Sequence, residues 1–195
     1  QIPAFGARSI LTRGSSGGEA FPTIAQEAFL TTGIANYIKG ERANEIAVGG
    51  TYRDRINMLG DIINSSPAYV KDNNTVFIGA NDGMLHAFDG TTGVERFAYV
   101  PGIVNLSNLK SLADEPYDHR YLVDGPIVVS SRKQTPSKNI LVGSLGRGGK
   151  GLFSLNVTNP SGFVNSNVLW EADGTDTYMG HVISSPLIAK VNYNN

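Results

Sequence analysis

Cysteine is missing from the sequence altogether, which excludes disulfides, thiolate metal sites and cysteine nucleophiles together. Basic clusters are missing too. Lys and Arg are scattered, and a net charge of −1 gives no general attraction to nucleic acid or to an anionic membrane. No apolar run approaches the ~20 residues of a membrane span. The chain opens without a charged n-region and an apolar h-region, so a precursor's signal peptide is expected to be absent or already removed. Tryptophan occurs once, at Trp170. Helical patterning is thin, confined to residues 26–39, stopped at Gly40, and to residues 105–113. A helix bundle and a doubly wound α/β sheet are therefore not expected.

Glycine is what the sequence has in quantity, 23 residues of 195, together with 9 prolines and 41% hydrophobic content. That is enough apolar material for a core, punctuated by many tight turns. β-Branched and aromatic residues fill short runs, and Gly, Asn and Asp occupy the gaps between them. Asn81-Asp-Gly83 is a strong hairpin signal, because glycine supplies the positive φ of a tight turn.

The runs repeat in a fixed order. The first unit starts at Asp61-Ile-Ile-Asn-Ser-Ser-Pro67 and continues Ala68-Tyr-Val70, a polar turn, Thr75-Val-Phe-Ile-Gly79, the 80–83 turn and Met84-Leu-His-Ala-Phe88. Asp89-Gly-Thr-Thr-Gly93 leads to its last run, Val94-Glu-Arg-Phe-Ala-Tyr-Val100. The second runs Val123-Asp-Gly-Pro126, Ile127-Val-Val129, Asn139-Ile-Leu-Val-Gly143, a glycine turn, Leu152-Phe-Ser-Leu155 and Val168-Leu-Trp-Glu171. A third begins at Ser184-Ser-Pro186-Leu-Ile-Ala189. Pro67, Pro126 and Pro186 are 59 and 60 residues apart. Four short strands per unit at this period predict a β-propeller. The sequence divides into a lead-in (1–58), a first blade (59–101), an insert (102–119), a second blade (120–172) and the start of a third (173–195). A propeller closes with ~4–8 blades, so these units are expected to be part of a larger ring. Residues 6–12 read as a lone strand placed to complete that ring's last blade. Phe77, Ile78, Leu85, Leu141, Val142, Phe153 and Leu155, in matching runs, are the predicted core.

Motifs that would carry chemistry fail on context. Gly146-Arg-Gly-Gly-Lys-Gly151 satisfies G-x-G-x-x-G and follows a strand, with Glu171 twenty residues further on. A dinucleotide site needs a helix next, whose N-terminus holds the pyrophosphate, whereas a strand and turn follow here. The Walker A pattern fails at Ser144 and Gly151. His86, His119 and His181 have no zinc spacing. Alternation sets His86 beside Met84 and Phe88, in a packed or hydrogen-bonded role. Asp72, Asp82, Asp173 and Asp176 are where an oxygen-coordinated cation would be sought, but none fits a calcium loop, and turn formation accounts for each. There is no G-x-S-x-G elbow and no acid pair at catalytic spacing. No catalytic, cofactor-binding or metal-binding residue is assigned, and an enzyme is not expected.

Leu59-Gly-Asp-Ile-Ile-Asn-Ser-Ser-Pro-Ala-Tyr-Val70 resembles the opening blade motif of the PilC/PilY family of type IV pilus-tip proteins. Val76-Phe-Ile-Gly-Ala-Asn-Asp-Gly-Met-Leu-His-Ala-Phe-Asp89 is similar to that family's most recognisable stretch. Phe97-Ala-Tyr-Val-Pro101, Asn108-Leu-Lys-Ser-Leu112, His119-Arg-Tyr-Leu-Val-Asp-Gly125 and residues 141–160 continue the likeness. Asn36-Tyr-Ile-Lys-Gly-Glu-Arg42 and Arg8-Ser-Ile-Leu-Thr12 extend it upstream. The resemblance implies a quinoprotein-like partial propeller with a non-enzymatic role in pilus assembly, retraction control and adhesion. It implies a cell-surface location, at the pilus tip or outer membrane, with minor pilins and a host-cell receptor as partners. It also implies calcium in a later blade, with no ligand among these residues. Two other classes share such repeats, a quinoprotein dehydrogenase and an outer-membrane assembly scaffold. The first needs a Trp-docking motif in each blade, and the second would lack residues 36–42 and the insert.

Overall fold

The structure, a computed structural model, describes residues 1–175 and 177–191. It is mainly β, with two sheets that do not close into a ring. The lead-in supplies β1 (Ile10–Gly14) and β2 (Gly17–Ala20), then α1 (Ile24–Leu30) and α2 (Thr32–Lys39). The first unit gives β3 (Ala68–Val70), β4 (Thr75–Gly79), β5 (Leu85–Asp89) and β6 (Glu95–Val100). After α3 (Leu106–Lys110) come β7 (Ile127–Val129), β8 (Ile140–Ser144), β9 (Gly151–Asn156) and β10 (Val168–Asp173). Each unit is an antiparallel meander, the four-stranded pattern that the repeats predict.

Three expectations change. The lead-in strand does not stand alone for a distant blade. β1 pairs with β2 and lies parallel to β6, making the first sheet six-stranded in the order β2-β1-β6-β5-β4-β3. The predicted single helix breaks at Thr31, whose backbone takes φ +72 while its hydroxyl caps Ile34. Thr31-Thr32-Gly33 are poor helix formers, so the break costs little there. Residues 184–189 form no strand, because a strand's backbone groups need a ladder partner and none of the described residues supplies one.

Packing is layered. Phe77, Ala87, Phe97 and Tyr99 of the first sheet meet Leu141, Phe153 and Leu155 of the second in one apolar cluster. Phe97 stacks on Phe163 with ring centroids 3.8 Å apart, and Tyr99 meets Phe153 at 5.6 Å. Ile10, Ala98 and Val100 share a second cluster with Leu30, Tyr37 and Ile38 of the helices and Leu109 of α3. The first sheet is thus packed on both sides. Of the predicted core only Val142 is not buried. It alternates with Leu141, as Leu152 does with Phe153, and points away from the first sheet.

Candidate functional site

The stretch from Ala80 to Asp89 turns from β4 into β5 and carries the densest polar contacts of the first unit. Gly83 sits at φ +92, and Ala80 donates its N–H to the Met84 carbonyl to close the turn. Asn81 is buried and works in two directions. Its N–H and amide reach the Asp61 carbonyl and carboxylate, and its Oδ1 accepts from Leu122 N–H at 3.0 Å. The turn therefore clamps the start of the first unit to the start of the second. Asp82 accepts from Gly60 N–H at 2.9 Å and Met84 N–H at 3.1 Å.

His86, fully buried, links this turn to the lead-in. Its Nε2 faces Asp82 Oδ2 at 3.1 Å and its Nδ1 faces Glu95 Oε1 at 2.7 Å. Glu95 is gripped from the other side by the Arg8 guanidinium, with Nε at 2.7 Å and Nη2 at 2.8 Å, the bidentate fork that fits a carboxylate. Arg8 also donates to the Lys39 carbonyl at the end of α2. Burial alone would push the imidazole down, but Asp82 and Glu95 outweigh it and raise His86 to about 9. Burial would raise Asp82 and Glu95, yet His86 and its neighbours hold both below the ordinary carboxylate range. At neutral pH the four side chains form an alternating quartet with no net charge. Both ring nitrogens are committed to carboxylates, so His86 has neither a free lone pair nor access to a substrate. What the arrangement can do chemically is hold charge and fix geometry.

A second ionic knot lies beside it. Glu45 accepts from Arg55 at 2.8 Å and Arg42 at 2.9 Å, and the Arg55 guanidinium lies 3.7 Å from the Tyr37 ring centre. A cavity of about 300 Å³, lined by Tyr37, Arg53, Arg55, Asp61, Asp82 and Tyr117, separates the two.

The sequence profile of the PilY1 beta-propeller domain matches residues 43–191. The chain belongs to the PilY1 β-propeller family. A type IV pilus biogenesis factor PilY1 homolog of Xylella fastidiosa is 38% identical over 187 residues, 80% of this chain and 15% of that protein. Type IV pilus biogenesis factor PilY1 of Pseudomonas aeruginosa strain UCBPP-PA14 is 34% identical over 172 residues, 72% of this chain and 15% of that protein. This chain spans about 15% of the length of these curated relatives. The crystal structure of the Pseudomonas aeruginosa PilY1 C-terminal domain aligns with a TM-score of 0.39 at 33% identity, covering 58% of this chain and 22% of that one.

The glycine-rich loop of this PilY1-family chain has a packing reason. Gly146 to Gly148 make a short 3-10 turn and Gly151 opens β9, so a strand follows where a dinucleotide site needs a helix. A Cβ on Gly148 would run into the Leu122 carbonyl, and one on Gly146 into Gly125. The glycines let this loop cross the start of the second unit at backbone distance. Glu171 does not face the loop. Its Oε1 accepts from the Tyr99 hydroxyl at 2.6 Å and from Gly102 N–H at 2.8 Å, joining the sheets. Burial pushes the Glu171 carboxyl up, and burial beside Glu171 pushes the Tyr99 phenol up.

The aspartates do not converge. Asp72 accepts from Asn139, Asp82 belongs to the quartet, Asp173 holds Thr175, and Asp176 lies outside the described residues. Among the described residues no three of His, Asp or Glu come together as a metal-binding group. His119 meets Asp61 at 2.9 Å, and His181 faces the Gly146 carbonyl. Sequence reasoning singled out His86 but missed Arg8 and Glu95. Arg8 is remote in the chain, and Glu95 comes under His86 through a bulge between Ala87 and Phe88. The one available signal was a Glu-Arg pair opening the run Phe97-Ala-Tyr-Val100 beside an apolar run holding a histidine.

Proposed function

We propose that this chain is a non-enzymatic propeller module of a type IV pilus biogenesis factor, working at the cell surface in pilus assembly, retraction control and adhesion. The observation that carries this reading is the family match across residues 43–191, joined to relatives that are themselves named type IV pilus biogenesis factors. The local chemistry supports the non-enzymatic part. The one buried histidine has both nitrogens engaged, and the nucleotide-like loop is filled by backbone. The module acts by presenting surface to protein partners, minor pilins on the pilus side and a receptor on the host side. Among the described residues no helix is long and apolar enough to cross a membrane.

The test is made in the bacterium that encodes the chain. Residues 43–191 are deleted from the full-length chromosomal gene, and surface pilin and twitching zones are measured alongside host-cell attachment. Loss of all three, restored by the intact gene, is the expected result. Normal piliation and motility with the altered protein stably present would overturn the reading.

A further inference from the structure

β1 and β6 form the one parallel ladder among the described strands, with Ile10 opposite Ala98, Leu11 opposite Tyr99 and Thr12 opposite Val100. Every other named pair is antiparallel. The chain enters β1 at Ile10 and leaves β6 at Val100, and the parallel register sets those two points at opposite ends of one ladder. Tension between the segment before Ile10 and the segment after Val100 therefore acts along the strands. It loads the cross-strand bonds together instead of one after another.

The same seam carries more than backbone bonds. At its Ile10 end the Arg8 fork holds Glu95, the first residue of β6, through two short charge-assisted bonds whose side chains are almost fully buried. At its Val100 end, Gln26 of α1 donates to the buried Thr12 hydroxyl at 3.0 Å. One residue past that end, Arg13 ties β1 to β10 by donating to the Leu169 carbonyl at 3.2 Å.

We propose that this seam is a shear clamp, which makes the first sheet resist tension applied before β1 far better than tension applied at the β1–β2 turn. The turn, at the exposed residues Ser15 and Ser16, lies at the same end of the ladder as Val100. A pull from there peels the bonds in sequence and reaches Arg8 last.

Because the chain has no cysteine, engineered cysteine pairs attach handles selectively for single-molecule pulling on the whole chain. One pair, Ala4→Cys with Ser107→Cys, draws the seam in shear. The other, Ser15→Cys with Ser107→Cys, draws it open from one end. All three positions are exposed. The expected rupture force is about two- to threefold higher in the first geometry, since several bonds must yield together and forced unfolding follows the barrier to that step. Arg8→Lys, which keeps the charge but loses the fork, lowers the shear force and leaves the peeling force unchanged. Equal forces in the two geometries would overturn the proposal. An Arg8→Lys shear force equal to that of the parent would remove Arg8 from the clamp.

Discussion

An imidazole that keeps its proton to about pH 9 in the fold, but releases it near 6.5 once unfolded, ties stability to pH in a calculable direction. The contribution of His86 is complete below pH 6.5 and is lost progressively as pH rises towards 9. Asp82 and Glu95 act on the acid side. Held below their ordinary values, they stabilise above about pH 4.5 and lose that contribution as pH falls through their folded values. The quartet should thus support the fold best at about pH 5–6.5. The rise at His86 corresponds to on the order of 3 kcal/mol. Urea unfolding at pH 6 and pH 9 should show a fall of that order for the parent and a much flatter profile for His86→Gln. Glu171 has the opposite sign. Burial makes its charged form costly, so Glu171→Gln, which keeps an oxygen for Tyr99 and Gly102, should leave stability at pH 7 unchanged or raise it by about 1 kcal/mol.

At the scale of elements, Gly148 gives the sharpest test, since a side chain there meets the Leu122 carbonyl, which cannot step aside without moving β7. Gly148→Ala should cost about 2–4 kcal/mol. Gly180→Ala, where an added Cβ meets nothing within 4 Å, should cost under about 0.5 kcal/mol. Chemical denaturation of both variants compares them directly. The strands were legible because each repeated run alternates or fills with β-formers between turn residues. The eight predicted strands of the two units all form, three with the expected bounds and five with an end shifted by a residue or two. The destination of β1 was not legible. A parallel partner 88 residues away leaves no local trace, whereas the helix break had one in the weak helix formers Thr31-Thr32-Gly33. The site was legible only in part, for the same reason. His86 could be placed on a packed face from alternation, whereas its charge partners arrive through tertiary folding. The glycine loop could be separated from a nucleotide site by the strand that follows it, but the backbone crossing that requires its glycines appears only in three dimensions.

Across the whole molecule the two sheets are joined by Phe97 on Phe163, Tyr99 on Phe153, the Tyr99–Glu171 hydrogen bond, and the Asn73 and Asn139 amides reaching Val157 and Asp72. Contacts this continuous predict one cooperative transition. Tyr99→Phe removes a single buried hydroxyl and should lower stability by about 1–2 kcal/mol without splitting that transition in calorimetry. Trp170 supplies the means to watch the same event from one side. It is the single tryptophan and sits on β10 of the second sheet at 42% exposure. Tyr37 is buried behind the first sheet, and Tyr99 is buried on that sheet's face toward the second. The chain therefore carries two optical reporters in different parts of its architecture. Indole emission, which at this exposure should be partly red-shifted and open to iodide quenching, follows the second sheet, and near-ultraviolet tyrosine signals weight the first. Melting curves recorded at the two wavelengths from one cuvette should superimpose, and a gap between their midpoints would mark the interface as the weak joint.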